Sequence, residues 1–147
     1  MNYRTLLFIP GNNPGMLQSS DILGADGIII DLEDAVALPE KDAARTLVRE
    51  YLSTFESKTA KFIRINPLDS PYFYDDLEAI KDLNITGIVL PKAGVEPMKK
   101  LEEYLNENDL DLDVIPLVET AIGLETALDI VQISDRIIGL FLGAEDL

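Results

Sequence analysis

Six short apolar runs recur along this sequence of 147 residues, and charged side chains lie at the carboxyl ends of five of them. The runs are Leu6–Ile9, Gly27–Ile30, Phe62–Ile65, Gly87–Leu90, Val114–Val118 and Ile137–Leu142. They are rich in Ile, Val and Leu, and both faces of each run are apolar, as in strands of a parallel sheet covered on both sides. The pattern therefore predicts six buried parallel strands.

The intervals between these runs show the apolar spacing of amphipathic helices. Apolar stripes lie at Ala44–Leu52, Leu77–Leu83, Met98–Leu105 and Leu124–Val131, and Pro14–Leu23 is a shorter candidate. Ser70 and Thr120 are the predicted N-caps of the second and fourth stripes. Parallel strands need such crossovers, so the sequence predicts one α/β domain with six strands and about five helices.

The position of the charged residues decides between two α/β architectures. Charges lie at the carboxyl ends of the second to sixth runs, at Asp31, Arg64, Lys92, Glu119 and Asp146. In an open doubly wound sheet only the strands beside the switch point reach the site, whereas in a barrel every strand end points at one mouth. We therefore predict a (β/α)8 TIM barrel.

Such a barrel takes roughly 250 residues, so six strands would leave it incomplete. We expect residues 1–147 to be the N-terminal part of a single TIM-barrel domain, with the C-terminal strands absent. Completion by a partner chain and a genuinely open sheet are the alternatives.

Composition narrows the chemistry further. The chain has no Cys and no His, which excludes disulfides, thiolate nucleophiles, His-based triads and Cys or His metal sites. Its net charge of −15 argues against nucleic acid and anionic membrane surfaces as partners. No apolar run approaches the roughly 20 residues of a membrane span, so a cytoplasmic protein is expected.

Glu119 and Asp146 are the candidate metal ligands. They lie 27 residues apart, about one strand–helix repeat, so neighbouring strands can bring both carboxylates to one cation. Two carboxylates completed by water and substrate oxygens are the usual Mg²⁺ arrangement. Solvated or helix-capping side chains are the alternative.

Arg64 is a candidate binder of a substrate carboxylate, because its planar guanidinium matches that group and an unpaired arginine is costly inside a strand. An internal salt bridge to Asp31 or Glu33 is the alternative, and such a bridge can also orient the arginine. Asp31, Glu33 and Asp34 are interpreted as arginine partners, turn formers and caps that support the site, rather than as direct catalysts.

Two further segments are candidates with weaker local signals. The backbone amides of Gly143, Ala144 and Glu145 can offer hydrogen bonds to a substrate carboxylate. Lys92 can act as a Schiff-base lysine or as a simple charge partner, of which the second is the commoner case.

Six motifs, taken in order, resemble those of the citrate lyase β subunit family in the HpcH/HpaI aldolase group. They are Arg4–Gly11, Asp31–Val36, Arg64–Pro67, Leu90–Lys92, Val118–Thr120 and Gly143–Leu147. The resemblance implies a Mg²⁺-dependent carbon–carbon lyase that cleaves a 3-hydroxyacyl-CoA, such as citryl-CoA to acetyl-CoA and oxaloacetate. It assigns Glu119 and Asp146 to the metal and Arg64 to the substrate carboxylate. Because Glu119 would also touch the substrate, Arg64 and Glu119 are the catalytic candidates.

The same resemblance implies a CoA-thioester or acyl-carrier-bound substrate, citrate lyase α and acyl-carrier subunits as partners, and a homo-oligomer. Related malyl-CoA or citramalyl-CoA lyases and pyruvate-type aldolases would share these residues, so they remain alternative functions. A different class of function is an inactive half-barrel that serves as a binding or assembly module.

Overall fold

The computed structural model describes residues 3–147. Its strands are β1 (Leu6–Pro10), β2 (Gly27–Asp31), β3 (Ala60–Arg64), β4 (Gly87–Leu90), β5 (Asp113–Val118) and β6 (Phe141–Leu142). Its α-helices are α1 (Pro14–Ser19), α2 (Lys41–Thr54), α3 (Phe73–Ile80), α4 (Val95–Glu107), α5 (Ala121–Glu125) and α6 (Ala127–Val131). Within the described residues, no helix is both long and apolar enough to cross a membrane.

The six strands form one parallel sheet whose spatial order follows the chain, from β1 to β6. A doubly wound sheet would reverse its strand order at a switch point, and this sheet does not. It curls instead into a half-barrel, with helices on its outer face and a separate apolar cluster inside the curve. The barrel-type architecture expected from the strand-end charges is therefore confirmed.

Alternation along the strands divides the apolar residues between these two faces. In β2, Ile28 and Ile30 pack outward against the helices, whereas Ile29 packs inward beside Phe62. The next inward position of β2 is Asp31, which lies in register with Arg64 at the end of β3. Both of these inward positions are charged. The fold therefore places this charged pair at the carboxyl-terminal mouth of the half-barrel.

The structure differs from the sequence predictions mainly near the chain's end. β6 is confined to Phe141–Leu142, and Ile137 contributes only an isolated bridge to Val114. β6 is the last strand of the sheet in the described residues, and it pairs with β5. The predicted helix over Leu124–Val131 is broken at Thr126 into α5 and α6.

The two predicted N-caps have opposite outcomes. Thr120 caps α5, because its hydroxyl accepts the Gly123 amide at 3.1 Å. Ser70 does not cap α3, since its hydroxyl accepts the Tyr72 amide at 3.1 Å and the helix begins only at Phe73. The Ser-Pro pair therefore forms the turn before the helix rather than its first residues.

Candidate active site

Arg64 forms a two-pronged ion pair across the mouth of the half-barrel. Its Nε donates to Asp31 Oδ1 at 2.8 Å, and its Nη2 donates to Asp31 Oδ2 at 2.5 Å. Register between β2 and β3 places the two residues opposite each other, both on the inner face. The internal salt bridge considered from the sequence is therefore present, and it orients the arginine.

The other edge of the Arg64 guanidinium is less fully occupied. Its Nη1 lies 3.3 Å from Glu33 Oε2 and 3.6 Å from Asp34 Oδ2. Nη1 donates no hydrogen bond to any residue in the range 3–147. The Phe8 ring lies under the guanidinium, with 4.9 Å from Cζ to the ring centroid. Arg64 is thus held on one edge and one face, and it keeps Nη1 for another acceptor.

Asp31 is a clamp whose acceptor sites are filled. Besides both bonds from Arg64, its Oδ1 accepts the Glu33 amide at 2.8 Å and its Oδ2 accepts the Ala35 amide at 3.0 Å. A carboxylate has about four acceptor positions, so Asp31 has none left for a substrate. This geometry agrees with its predicted supporting role as arginine partner and turn former.

Glu33 is buried beside this clamp with an unusual protonation equilibrium. Burial raises the pKa of its carboxyl from 4.5 to about 7, against the lowering influence of Arg64 and with added repulsion from Asp34 and Glu119. Its Oε2 is buried and has no hydrogen-bond partner. Glu33 therefore interacts with Arg64 through charge alone at Oε2, which accepts no hydrogen bond.

Glu119 follows β5 and is only 5% exposed. Its Oε1 accepts the Lys92 backbone amide at 2.6 Å. Burial raises the pKa of the Glu119 carboxyl, and repulsion from Asp146 adds to the effect, whereas the Lys92 amide and Arg64 lower it. This buried acid is therefore held by a backbone group and lacks a neighbouring countercharge strong enough to offset its burial.

The surroundings of Glu119 and Asp146 fit a cation. Both carboxylates line one cavity, while Arg64, the cationic side chain of that cavity, forms its salt bridges with other carboxylates. Within residues 3–147, no cluster of three or more acidic side chains forms a closed metal cage. Two carboxylates beside open space suit Mg²⁺, which usually keeps waters or substrate oxygens at its remaining positions.

Gly143 makes room for the Glu119 side chain. A Cβ at this position would lie 2.9 Å from the Glu119 Cβ and 3.2 Å from Oε2. The Gly143 amide donates to Val118 O at 2.9 Å, so it is not available to a substrate carboxylate and that part of the expectation is corrected. The amides of Ala144 and Glu145 donate to no residue within 3–147, and their substrate contact stays a prediction.

Lys92 contributes its backbone and not its side chain. Its Nζ is outside the cavity, 4.0 Å from Asp69 Oδ2, and the side chain is 51% exposed. The residue adopts a positive φ of 45°, and its amide points at Glu119. The contact with Asp69 favours a charge-partner role over a Schiff-base role, because the ammonium group does not line the cavity.

These groups surround a cavity of about 570 Å³ at the carboxyl-terminal ends of the strands. It collects the charged side chains Asp34, Arg64, Glu119, Glu145 and Asp146, with Gly143 and Ala144. Its apolar walls, which the sequence did not single out, are Phe8, Leu117, Phe141 and Leu142. No local signal marks them, because residues on both faces of these strands are apolar.

A larger cavity of about 770 Å³ lies at the opposite, amino-terminal ends of the strands. It is lined by residues such as Asp26, Lys61 and Thr86. Barrel enzymes place their chemistry at the carboxyl-terminal face, and the strand-end carboxylates and Arg64 are there. The smaller cavity is therefore the candidate active site.

Comparison with known proteins agrees with this architecture. Residues 4–147 match the HpcH/HpaI aldolase/citrate lyase family. The chain is 40% identical to "Citrate lyase subunit beta" of Leuconostoc mesenteroides subsp. cremoris, over 97% of this chain and 50% of that protein. It is 32% identical to "(3S)-malyl-CoA thioesterase" of Cereibacter sphaeroides, over 99% of this chain and 50% of that protein.

A solved structure gives the same answer. It is the citrate lyase β subunit of M. tuberculosis complexed with oxaloacetate and magnesium, which is 34% identical to this chain. The TM-score is 0.80, over 97% of this chain and 58% of that one. This chain thus spans about half the length of the curated relatives it matches. By sequence and by fold, the chain belongs to the HpcH/HpaI aldolase/citrate lyase family.

Proposed function

We propose that residues 1–147 form the N-terminal part of a TIM-barrel lyase domain that cleaves a carbon–carbon bond in a 3-hydroxyacyl-CoA. The leading substrate is citryl-CoA, which would give acetyl-CoA and oxaloacetate. The observation that supports this most directly is a single cavity that holds Arg64 beside Glu119 and Asp146, because Nη1 of this arginine donates no hydrogen bond within residues 3–147. The M. tuberculosis relative, complexed with oxaloacetate and magnesium, supports the same class of ligand.

Glu119 and Asp146 would hold Mg²⁺. When bound, Mg²⁺ supplies positive charge that stabilises the oxygen of the substrate's hydroxyl group as it becomes a carbonyl. The two carboxylates fix where that charge can sit, and the Lys92 amide keeps Glu119 turned toward the cavity. These side chains would otherwise repel an anionic substrate, so the cation also makes the cavity accessible to it.

Arg64 would bind the carboxylate next to the reacting carbon. Asp31 and Phe8 hold the guanidinium before any substrate arrives, so little freedom is lost on binding. Nη1 is the donor left for the substrate carboxylate. In the cleavage the hydroxyl group loses its proton, the bond to the thioester's α-carbon breaks, and that carbon gains a proton.

A second candidate is a lyase for malyl-CoA or citramalyl-CoA, or a pyruvate-type aldolase. The similarity to a (3S)-malyl-CoA thioesterase supports this candidate, because such substrates share the carboxylate and hydroxyl group that this cavity would bind. An assembly module without activity is the alternative of another class. Citrate lyase α and acyl-carrier subunits as partners, a homo-oligomer and a cytoplasmic location stay predictions.

The test is a thioester panel assayed with the intact natural protein. Citryl-CoA, malyl-CoA and citramalyl-CoA would each be supplied with Mg²⁺, and acetyl-CoA, pyruvate and the oxoacids would be measured. We expect citryl-CoA to be cleaved fastest, cleavage to stop with EDTA, and Mg²⁺ to restore it. Faster cleavage of another thioester would favour the second candidate, and no cleavage of any would favour the assembly module.

A further inference from the structure

Lys41, the first residue of α2, is a buried lysine near the candidate site, and its hydrogen-bond partners are backbone oxygens. It is 4% exposed, and its Nζ donates to two backbone oxygens, Leu32 O at 2.7 Å and Glu33 O at 2.6 Å. Within residues 3–147 it forms no salt bridge. Burial lowers the pKa of its ammonium group, while Asp76, Asp31, Glu33 and Asp34 act at longer range to raise it.

A second buried side chain donates to the same backbone oxygen. Asn66, which follows β3, donates through Nδ2 to Leu32 O at 3.0 Å. Asp76 of α3 fixes Asn66 by accepting its backbone amide and its Nδ2, both at 2.7 Å. Arg45 of α2 completes this network by donating to Asp76 Oδ1 at 3.0 Å.

The backbone held by these donors is the turn that grips Arg64. Asp31 of this turn accepts both prongs of the guanidinium, and Glu33 and Asp34 face Nη1. Burying an ammonium group is costly, so a position that only filled space would suit an apolar side chain better. Hydrogen bonds to Leu32 O and Glu33 O offset the cost of burying the Lys41 ammonium group, and both oxygens belong to the turn that holds Arg64.

We propose that Lys41, Asn66 and Asp76 form a buried brace that positions the turn Asp31–Asp34 and thereby sets where the Arg64 guanidinium stands in the cavity. Lys41 is a positioning residue in this arrangement, since it touches the turn's backbone and does not line the cavity. The link from brace to substrate binding rests on the proposed function of Arg64.

Lys61 provides a matched control because it is buried to the same extent at the opposite end of the half-barrel. It is 5% exposed, and its Nζ contacts Asp21 at 2.5 Å and Ser57 at 3.0 Å. Lys41→Met and Lys61→Met each remove one buried ammonium group and keep a side chain of similar length. If Lys41 only stabilised the fold in general, the two variants would change amide exchange and ligand affinity in the same way.

The experiment measures hydrogen exchange and ligand binding in the intact protein. In Lys41→Met we expect the amides of Glu33 and Ala35, which donate to Asp31, to exchange at least about tenfold faster, whereas Lys61→Met leaves them unchanged. Affinity for oxaloacetate at saturating Mg²⁺, measured by calorimetry, should fall about tenfold in Lys41→Met only. The Mg²⁺ affinity itself should not change.

A second variant guards against misfolding. Asn66→Ala removes the other donor to Leu32 O and should show the same pattern at smaller amplitude. Unchanged exchange at Glu33 and Ala35 in both brace variants would overturn the proposal, as would equal acceleration in Lys61→Met. If the wild-type protein does not bind oxaloacetate, the proposed function fails, while the exchange data still decide whether the brace exists.

Discussion

Two regions of the candidate site handle negative charge in opposite ways. In the arginine cluster, formed by Arg64 with Asp31, Glu33 and Asp34, the countercharge is part of the chain. In the carboxylate pair, formed by Glu119 and Asp146, no lysine or arginine of the described residues forms a salt bridge with either side chain. The first region is held by side chains across two strands, and the second by a single backbone amide on Glu119.

This difference shows which part of the site is formed in advance and which needs a ligand. The arginine cluster lies between inner strands, where register and burial fix it without any bound group. In the carboxylate pair, by contrast, one backbone amide holds Glu119, and no described lysine or arginine forms a salt bridge with Glu119 or Asp146. We infer that a bound cation would order the second region much more than the first.

The strongest test of the comparison is to remove the cation of the arginine cluster. Arg64→Ala leaves the buried Asp31 without its ion-pair partner, so we expect unfolding to become easier by about 3–5 kcal/mol in urea titrations. Arg49→Ala is the control, because Arg49 also grips a carboxylate with two prongs, that of Asp82, but in an exposed position. It should cost much less, because solvent screens an exposed ion pair. Equal losses would mean that the cluster is no more integral than a surface pair.

Glu33 provides a pH-dependent test of the same cluster. The pKa of the Glu33 carboxyl is about 7 in the folded protein and 4.5 ordinarily. Protonation of Glu33 therefore stabilises the fold fully below pH 4.5, and this stabilisation is lost as the pH rises through about 7. Glu33→Gln removes this dependence. Relative to wild type, the variant should gain up to about 3 kcal/mol of unfolding free energy between pH 4.5 and pH 8.

Urea titrations across that pH range would measure the gain. The exposed Glu103→Gln on α4 is the control and should follow the wild-type profile. A Glu33→Gln profile parallel to wild type would show that the Glu33 carboxyl titrates normally in the folded protein.

The carboxylate pair is tested by its affinity for Mg²⁺. Glu119→Gln removes a charge that forms no salt bridge within residues 3–147, so calorimetric titration should show Mg²⁺ binding weakened by more than about tenfold. Asp34→Asn changes a carboxylate of the same cavity that already faces Arg64, and its effect should be much smaller. Similar losses in both variants would remove the distinction between the two regions.

Gly143→Ala is a subtler perturbation of the pair. The added methyl group would lie within 2.9 Å of the Glu119 Cβ and push that side chain, so we expect roughly fivefold weaker Mg²⁺ binding, the low end of what overpacking costs. Gly139→Ala is the matched control, because a Cβ there meets nothing within 4 Å. Unchanged Mg²⁺ affinity in Gly143→Ala would show that the position of Glu119 is not critical.

The order of strands and the location of the site were predictable from the sequence because their signals are local. Five of the six predicted strands agree with the structure to within about two residues, and Thr120 caps its helix as predicted. The sixth strand was overestimated, since the predicted run Ile137–Leu142 contains a strand only at Phe141–Leu142. Apolar runs indicate burial, but they do not show which of their residues form the backbone hydrogen bonds of a strand; Ile137 makes only an isolated bridge.

The sequence by itself determined that charged groups would gather at one end of a parallel sheet, because strand periodicity and strand-end residues are written in consecutive positions. Only the tertiary structure decided how each group is used. Asp31 meets Arg64 through the register of strands 33 residues apart, and Lys92 turns its amide rather than its ammonium group to Glu119. Lys41 becomes a buried donor to a turn that precedes it. Such pairings depend on distances between segments far apart in the chain, which no local pattern encodes.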